Sequence, residues 1–226
     1  MNRLLAALPA EDVAALRPHM EEITLELHTP LIVPNEPIEY MIFPITSLAS
    51  LVTVLEDGST VEAGSVGHEG VVGIPVLLNA TSTPMETVTQ VGGTAIRVPS
   101  EMVKKQFDSS RAVQALLLRY IHALFIIASQ STACNRRHQV DERLARWLLM
   151  SADGIRNEEV AITHEYLATM LGVRRPGVTE AALKLQEDGL IHYRRGGTTI
   201  IDRPGLESRA CECYHVVKNT IDSVFN

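Results

Sequence analysis

The chain has 226 residues, of which 46% are hydrophobic, and its formal net charge is −7. This length exceeds one typical domain, and the hydrophobic content suffices for packed cores, which excludes a disordered polypeptide. The charged residues are unevenly distributed along the chain. Residues 1–110 carry 5 Lys and Arg against 14 Asp and Glu, a formal net charge of −9, whereas residues 111–226 carry 15 Lys and Arg against 13 Asp and Glu, a formal net charge of +2. Net charge therefore does not exclude nucleic-acid binding by the second half.

The N-terminal half has the pattern of a β-barrel or β-roll. An amphipathic helical stretch runs from Leu4 to Arg17, and Pro9 restarts a helical turn within it. From Leu25 to Val98, short β-rich runs alternate with glycines and prolines at regular spacing, which is typical of such barrels. No His/Glu set and no nucleophile beside a base occurs in residues 25–100, so we predict no enzyme and no catalytic residue.

The cysteines and the most apolar segment indicate the compartment. Cys134, Cys211 and Cys213 have no framework spacing, and the first residues lack a secretion-signal pattern, which favours a reducing cytoplasm. The apolar window 112–128 is interrupted by charge and is shorter than the roughly 20 residues that span a bilayer. Cys211 and Cys213 fall in a predicted helix, where they point to different faces, so packing is favoured and no metal or cofactor is expected.

A long helix is predicted from Arg111 to His138. Its apolar residues repeat at spacings of four and three, a heptad seam that favours pairing with a second copy over packing on the chain's own β-roll. The predicted interface residues are Val113, Leu117, Tyr120, Leu124 and Ile127. Polar residues 135–141 should form a hinge, after which Asp141 can cap the next helix.

Residues 162–191 read as two short helices separated by a glycine turn. Thr163 is a helix N-cap, and Gly172 permits the left-handed backbone that ends the first helix. The second helix opens at Arg174, Arg175 and Pro176, because proline is tolerated in a first helical turn. Its inner stripe is Val178, Ala181, Ala182 and Leu185. The outward residues Arg175, Thr179 and Glu180 can meet base edges in a DNA groove.

A β-hairpin is predicted beyond these helices. Residues 193–201 have high β-propensity around a Gly-Gly pair, which makes a wing beside the helix-turn-helix. Its polar side chains suit phosphate oxygens, which fix register without reading sequence. Residues 204–225 then predict one added amphipathic helix, with Pro204 placed to start it.

In this order the elements resemble the Crp/Fnr family of bacterial transcription regulators. The resemblance covers nearly the whole chain and is strongest between Thr163 and Ile201. It implies an α+β fold with an N-terminal jelly-roll β-barrel of cyclic-nucleotide-binding type, a long dimerisation helix and a C-terminal winged helix-turn-helix. The corresponding domains are 1–108 for the sensor, 109–138 for the dimerisation helix and 139–226 for DNA binding.

The resemblance also implies roles for individual residues. Arg175 falls on the family's base-reading arginine, which contacts guanine O6 and N7. The candidate base readers are Arg175, Thr179 and Glu180, and the candidate phosphate contacts are Thr163, Arg174, Gly177, Arg194, Arg195 and Thr198. Pro176 and Glu180 depart from the family pattern, where a glutamate and a second arginine are common, so the operator sequence stays open.

The cyclic-nucleotide cassette is degenerate. Gly73 matches its glycine, but Ile74 replaces the ribose-binding glutamate, and Pro84 and Met85 replace the Arg-Ser pair that holds the phosphate. Without a guanidinium the phosphate loses the bonds that offset its desolvation, which argues against cyclic AMP. A small apolar effector and a filled core remain as alternatives, the filled core being favoured. An N-terminal iron–sulfur cluster is excluded because the first cysteine is Cys134.

The sequence thus predicts a homodimeric, cytoplasmic regulator that binds double-stranded DNA at a palindromic operator and has RNA polymerase as a further partner. Its effector is open, and no membrane partner is expected. The alternative function is a sensor or scaffold that acts through protein contacts, with the acidic first half as a docking surface.

Overall fold

The computed structural model describes residues 1–194 and 196–226. The helices are Arg3–Ala7 (α1), Ala10–Leu16 (α2), Ser100–Ser109 (α3), Arg111–Arg137 (α4), Val140–Ile155 (α5), His164–Leu171 (α6), Arg175–Glu187 (α7), Arg203–Arg209 (α8) and Cys213–Ser223 (α9). The strands are Glu21–Leu25 (β1), Pro30–Ile32 (β2), Tyr40–Pro44 (β3), Leu48–Val54 (β4), Thr60–Val66 (β5), Glu86–Val91 (β6), Gly93–Pro99 (β7), Glu159–Val160 (β8), Ile191–Arg194 (β9) and Gly197–Ile200 (β10).

Two antiparallel sheets form the N-terminal β-roll, in the orders β1-β7-β3 and β2-β6-β4-β5. Strand β4 is covered on both faces. Ala49 and Leu51 pack into the roll, whereas Leu48 and Val52 pack into a second core with α5 and the helices that follow it. Because successive side chains of a strand point to opposite faces, one strand contributes to both cores.

The leading helices are tied to the roll by a buried asparagine. The Asn2 side chain accepts hydrogen bonds from the backbone N–H groups of Leu4 and Leu5, which caps α1, and its Nδ2 donates to the carbonyls of Pro44 and Gly70. As predicted, the stretch from Leu4 to Arg17 is helical and divides at Pro9.

Helix α4 differs from the sequence expectation in two ways. By length and composition alone it passes the criterion for a membrane span, because the helix extends well beyond the window 112–128. One side of it, however, is buried against the roll and α9, as in a core helix. The predicted dimer seam is also wrong: Val113, Leu117, Tyr120 and Ile127 are buried within the chain and Leu124 is half-buried.

The chain turns at residues 138–139 and enters α5. The predicted cap at Asp141 is wrong, because Gln139 is the N-cap and forms a capping box with Glu142. Asp141 instead accepts hydrogen bonds from Lys184 at 2.7 Å and from Arg209 at 3.3 Å. It therefore ties α5 to α7 and α8.

The C-terminal region also departs from its prediction. The helix expected over residues 204–225 is two helices, α8 and α9, separated by residues 210–212. Strands β9 and β10, between α7 and α8, pair with β8, which precedes α6, to form the three-stranded wing in the order β8-β10-β9, with a positive φ of 90° at Gly196. The predicted α+β class, with a β-roll, a long helix and a winged helix-turn-helix, is confirmed.

Candidate nucleic-acid interface

The helix-turn-helix is built by local signals at its ends. The Thr163 hydroxyl accepts a hydrogen bond from the Tyr166 backbone N–H at 3.2 Å and begins α6. Gly172 ends α6 with a φ of 60°, a left-handed conformation that costs glycine little. The next helix can then start three residues later at a new angle. Thr163 is thereby placed at an exposed helix N-terminus, where its predicted phosphate contact requires it.

The N-terminal turn of α7 is exposed and basic. Arg174 is its N-cap, Arg175 and Pro176 follow, and all three lie on the surface. The predicted inner stripe is buried: Val178, Ala181, Ala182 and Leu185. Because the first N–H groups of a helix have no intrahelical partner, this end presents positive partial charge beside two guanidinium groups. Such an arrangement suits phosphate and the acceptor edges of bases.

The Arg175 side chain is 67% exposed, and its Nε lies 3.6 Å from Glu165 Oε2 on α6. An ion pair in this setting contributes little to stability and is readily exchanged for another acceptor. Glu180 is also exposed, one turn along the same helix. Both side chains are positioned to reach a ligand that approaches α7.

Thr179 is less available than the sequence suggests. Its hydroxyl lies 3.2 Å from the Arg175 carbonyl and 3.1 Å from His164 Nδ1, and the residue is half-buried. The His164 ring stacks on Tyr193, with centroids 3.8 Å apart. Burial, followed by the nearby Arg175 charge, lowers the pKa of His164 below its ordinary value. Thr179 thus joins α6 to α7 and, through His164, both helices to the wing.

The other predicted phosphate contacts differ in how far a ligand can reach them. Arg174 and Arg194 are exposed, and Arg194 pairs with Glu159. Thr198 is only 2% exposed, so its predicted contact is wrong: it faces inward, between Tyr193 and Val160 in the wing sheet. Gly177 is half-buried, and its backbone N–H already donates to the Arg174 carbonyl at 3.0 Å. Arg195 lies outside the described residues.

The cassette positions of the roll carry apolar or backbone groups. Gly73 has a φ of 107° and precedes a short 3-10 turn that begins at Ile74. Ile74 and Met85 are half-buried, whereas Pro84 is exposed. The interior nearby is filled by buried apolar side chains: Leu25, Ile32, Ile38, Ile42, Ala49, Val66, Val72 and Ala95. A cavity of about 570 Å³ opens between the segments at 23–25, 29–33 and 36–42.

Arg97, at the edge of that cavity, is engaged on the surface of the roll. Its Nη2 lies 2.8 Å from Glu21 Oε2, and its guanidinium stacks on the Tyr40 ring. A phosphate at the cassette therefore gains no arginine from the sequence positions where the resemblance requires one.

A cluster of possible metal ligands lies at the junction of α4, α8 and α9. The ligand atoms of Cys134, His138, Cys211 and Cys213 all fall within 4.8 Å of one another. The prediction that both C-terminal cysteines belong to one helix is wrong, because Cys211 precedes α9 and Cys213 is its first residue. A detectable signal was the four-residue spacing of Cys134 and His138, which puts both side chains on one face of a helix.

Comparison with known proteins supports this architecture. Residues 142–209 match the Crp-like helix-turn-helix domain family. No curated protein sequence matches the chain at the significance required. Among solved structures, FixK2 from Bradyrhizobium japonicum has a TM-score of 0.72 at 17% identity, with 85% of this chain and 98% of FixK2 covered.

Two further structures have the same fold. A transcriptional regulator assigned to the Crp/Fnr family from Eubacterium rectale gives a TM-score of 0.69 at 17% identity, covering 91% of this chain and 96% of its own. TTHA1359, a Crp/Fnr family regulator from Thermus thermophilus, gives 0.68 at 18% identity, with 84% and 98% covered.

The molecule is thus a winged helix-turn-helix protein whose DNA-binding head is joined to a β-roll. Residues 142–209 carry a Crp-like helix-turn-helix domain, and the whole fold is similar to those of solved Crp/Fnr family regulators, in agreement with the resemblance read from the sequence.

Proposed function

We propose that the chain binds a palindromic DNA operator as a homodimer and that Arg175 reads a guanine in each half-site. The observation that carries this proposal is the exposed N-terminal turn of α7, where the side chains of Arg174 and Arg175 both lie on the surface at the positive end of the helix dipole. Arg175 supplies the bidentate donor for guanine O6 and N7, while Arg174 and Arg194 supply charge to phosphates. Glu180 is a second candidate base reader through cytosine N4.

Pairing of two chains is proposed through the outer face of α4. Leu118 and Phe125 are 47% and 69% exposed on this helix, and seven residues separate them, so they lie on one face. A two-fold axis along this face makes the same patch meet itself, as a symmetric dimer requires. The two recognition helices then address half-sites about 34–36 Å apart on the duplex.

Control by cyclic AMP is not part of the proposal. Ile74, Pro84 and Met85 offer no partner for a ribose hydroxyl or a cyclic phosphate, and Arg97 is paired with Glu21. Burying a phosphate there costs its hydration without compensating bonds. We expect titration calorimetry with cyclic AMP to detect no binding in the micromolar range, and saturable heat at one site per chain would contradict this part.

We further propose that the protein acts without catalysis in the cytoplasm, with RNA polymerase as a partner. Fold relatives described as transcriptional regulators support this role. An assay of transcription from a promoter that carries the recovered operator tests the polymerase contribution. Equal transcript levels with and without the protein would count against it.

The main experiment is selection of bound duplexes from fragmented genomic DNA, followed by affinity measurement on the recovered consensus. Arg175→Ala should lose about 1–3 kcal/mol of binding, and Arg175→Lys should keep the charge but lose the bidentate contact. Arg17→Ala, an exposed arginine on the roll, is the charge-matched control. Enrichment of no palindrome, or equal affinity of the wild type and Arg175→Ala, would favour a protein-docking function instead.

A further inference from the structure

Three cysteines and one histidine converge where the long helix meets the C-terminal helices. Cys134 lies in the last turn of α4, and His138 is the C-cap of that helix. Cys211 lies in the break between α8 and α9, 77 residues after Cys134, and Cys213 is the first residue of α9. All three thiols are buried, and the His138 side chain is 18% exposed. Four soft or borderline ligands therefore share one enclosed point.

The spacing of these atoms fits a single tetrahedral ion. Metal–sulfur bonds of about 2.3 Å and metal–nitrogen bonds of about 2.0–2.1 Å give ligand separations of about 3.8 Å for two sulfurs and about 3.6 Å for sulfur and nitrogen. The Cys134 and Cys211 sulfurs are 3.6 Å apart, and Cys213 Sγ is 3.5 Å from His138 Nδ1. We propose that Cys134, His138, Cys211 and Cys213 bind one structural zinc ion.

Two neighbouring side chains, Glu212 and Gln130, also position donor atoms of this cluster. Glu212 Oε2 lies 3.1 Å from His138 Nε2, which orients the ring and leaves Nδ1 directed at the cysteines. A carboxylate on the outer nitrogen of a ligating histidine is the usual partner at zinc sites. Gln130 Nε2 donates a hydrogen bond to Cys213 Sγ at 3.1 Å. These contacts fix both donor atoms before an ion arrives.

The electrostatic setting favours one thiolate in the cluster, at Cys134, and opposes the ionisation of the other two thiols. The pKa of Cys134 is lowered to about 5, chiefly by its hydrogen bond with Cys211 and further by the charge of Arg146. The pKa values of Cys211 and Cys213 are raised, because Cys211 is the donor in that bond and because burial disfavours a second and third charge. A divalent cation offsets the repulsion among these buried charges, because it stabilises all three thiolates as their protons leave.

Zinc is preferred over the alternatives on ligand chemistry. A closed tetrahedral set of three thiolates and one imidazole is a common structural zinc site. An iron–sulfur cluster places its thiolates around several irons and bridging sulfides, whereas these four donors converge on one point. With four protein ligands, no position remains for a substrate, so the site is structural.

The position of the site gives it a consequence for DNA binding, a point that rests on the proposed function. The ion joins the last turn of α4 to the break that precedes α9, across the turn at residues 138–139 that leads into α5. Helices α8 and α9 pack on α5 in the DNA-binding head. A bound ion therefore holds the head in one orientation relative to the long helix.

The test uses the full chain purified under reducing conditions without chelator. We expect about one zinc per chain by elemental mass spectrometry, and exchange with Co²⁺ should give the absorption of a tetrahedral thiolate site. Cys211→Ser should lower zinc affinity at least about ten-fold in competition with a chromophoric chelator. Glu212→Gln, an exposed carboxylate whose loss leaves all ligands in place, should lower it by about 10–100-fold. His215→Ala, an exposed neighbour of the cluster, is the control and should change nothing.

Several outcomes would overturn the proposal. They are a substoichiometric metal content after zinc supplementation, an octahedral cobalt spectrum, a Cys134–Cys211 disulfide in the freshly purified reduced chain, or iron with acid-labile sulfide in place of zinc. The wild-type metal content and cobalt spectrum decide the matter even if a cysteine variant does not fold. Because no DNA is present, a failure of the DNA-binding proposal leaves this result unaffected, and the reverse also holds.

Discussion

The backbones of Gly67 in the roll and Gly154 in α5 are in direct contact, which is possible because neither residue has a side chain. A Cβ added to Gly67 would lie 2.6 Å from the Gly154 carbonyl oxygen, closer than real Cβ contacts. The same carbonyl accepts the His68 backbone N–H at 2.9 Å. The loop after β5 is therefore seated directly on α5, and the roll and the DNA-binding head depend on this contact for their relative position.

Substitution of Gly67 by alanine should weaken the contact between the loop after β5 and α5. We expect a loss of about 1–3 kcal/mol, since overpacking against backbone cannot be relieved by a rotamer change. The corresponding fall in Tm is about 2–4 °C for each kcal/mol at this chain length. Gly177→Ala is the matched control, because a Cβ there meets nothing within 4 Å, and it should not lower Tm. Equal melting of both variants would contradict the proposed role of the Gly67 contact.

In the proposed function, the ion pair between Arg175 and Glu165 competes with DNA for the guanidinium. Glu165→Ala should raise operator affinity by up to about five-fold, because an exposed pair is worth only about 0–1 kcal/mol and a carboxylate beside phosphates is removed. Fluorescence anisotropy at two salt concentrations measures the change. Glu187→Ala removes an exposed carboxylate at the far end of α7 and should have less effect. Weaker binding by Glu165→Ala would show that the pair orients Arg175 productively.

His164 should make the stability of the DNA-binding head depend on pH. Its pKa is lowered in the folded chain, so its contribution to stability is fully present above the ordinary value of 6.5 and is lost as pH falls through the lower folded value. Unfolding free energies measured between about pH 7.5 and about pH 5 should therefore decline more steeply for the wild type than for His164→Gln. Other titrating groups are common to both chains and cancel. If the unfolding free energies of the two proteins decline in parallel as pH falls, His164 does not contribute to the pH dependence of stability.

A substitution of Phe125 tests the proposed dimer. Phe125→Glu places a charge on the outer face of α4 and should give monomers in sedimentation at micromolar concentration, with operator affinity reduced. The side chain is 69% exposed in the single chain, so the substitution should leave Tm of the monomer unit nearly unchanged. Leu78→Glu, on an exposed side chain of the roll, is the control and should stay dimeric. A dimeric Phe125→Glu protein would place the interface elsewhere.

The wing offers a paired comparison of an exposed and a buried residue. Arg194→Ala should reduce the slope of log affinity against log salt by about one, the signature of one lost phosphate contact. Thr198→Val should leave the slope unchanged and the affinity within about two-fold, because Thr198 is 2% exposed and faces the wing core. A salt slope altered by Thr198→Val and not by Arg194→Ala would reverse the assignment.

Local signals explain why the helix-turn-helix could be predicted from the sequence. The signals are a helix cap at Thr163, a left-handed position at Gly172 and a proline in a first helical turn at Pro176. Each acts on the backbone within a few residues, so its effect can be predicted without knowledge of the fold. The apolar stripe of α7 follows from the same short-range period. The β-roll was predictable for a similar reason, since glycine and proline spacing reports strand length directly.

Features that depend on distant partners could not be predicted in this way. The α4 sequence is apolar nearly all round, so a heptad stripe can be drawn on its inner or its outer face, and only the packed roll selects Val113 and Leu117 as inner residues. Thr198 and Thr199 alternate across β10, and the side that is buried is set by pairing with β8, almost forty residues earlier. The thiol cluster joins segments that meet because α9 folds back along α4.

Because β4 packs into two cores, it connects the roll directly to the DNA-binding head. Leu48 and Val52 rest on the DNA-binding head, and Ala49 and Leu51, between them in sequence, line the barrel. A displacement of β4 would therefore reach the DNA-binding head directly, without passing through α4. The roll is thus connected to the DNA-binding head through β4 as well as through α4, and the outer face of α4 stays available for the proposed pairing of two chains.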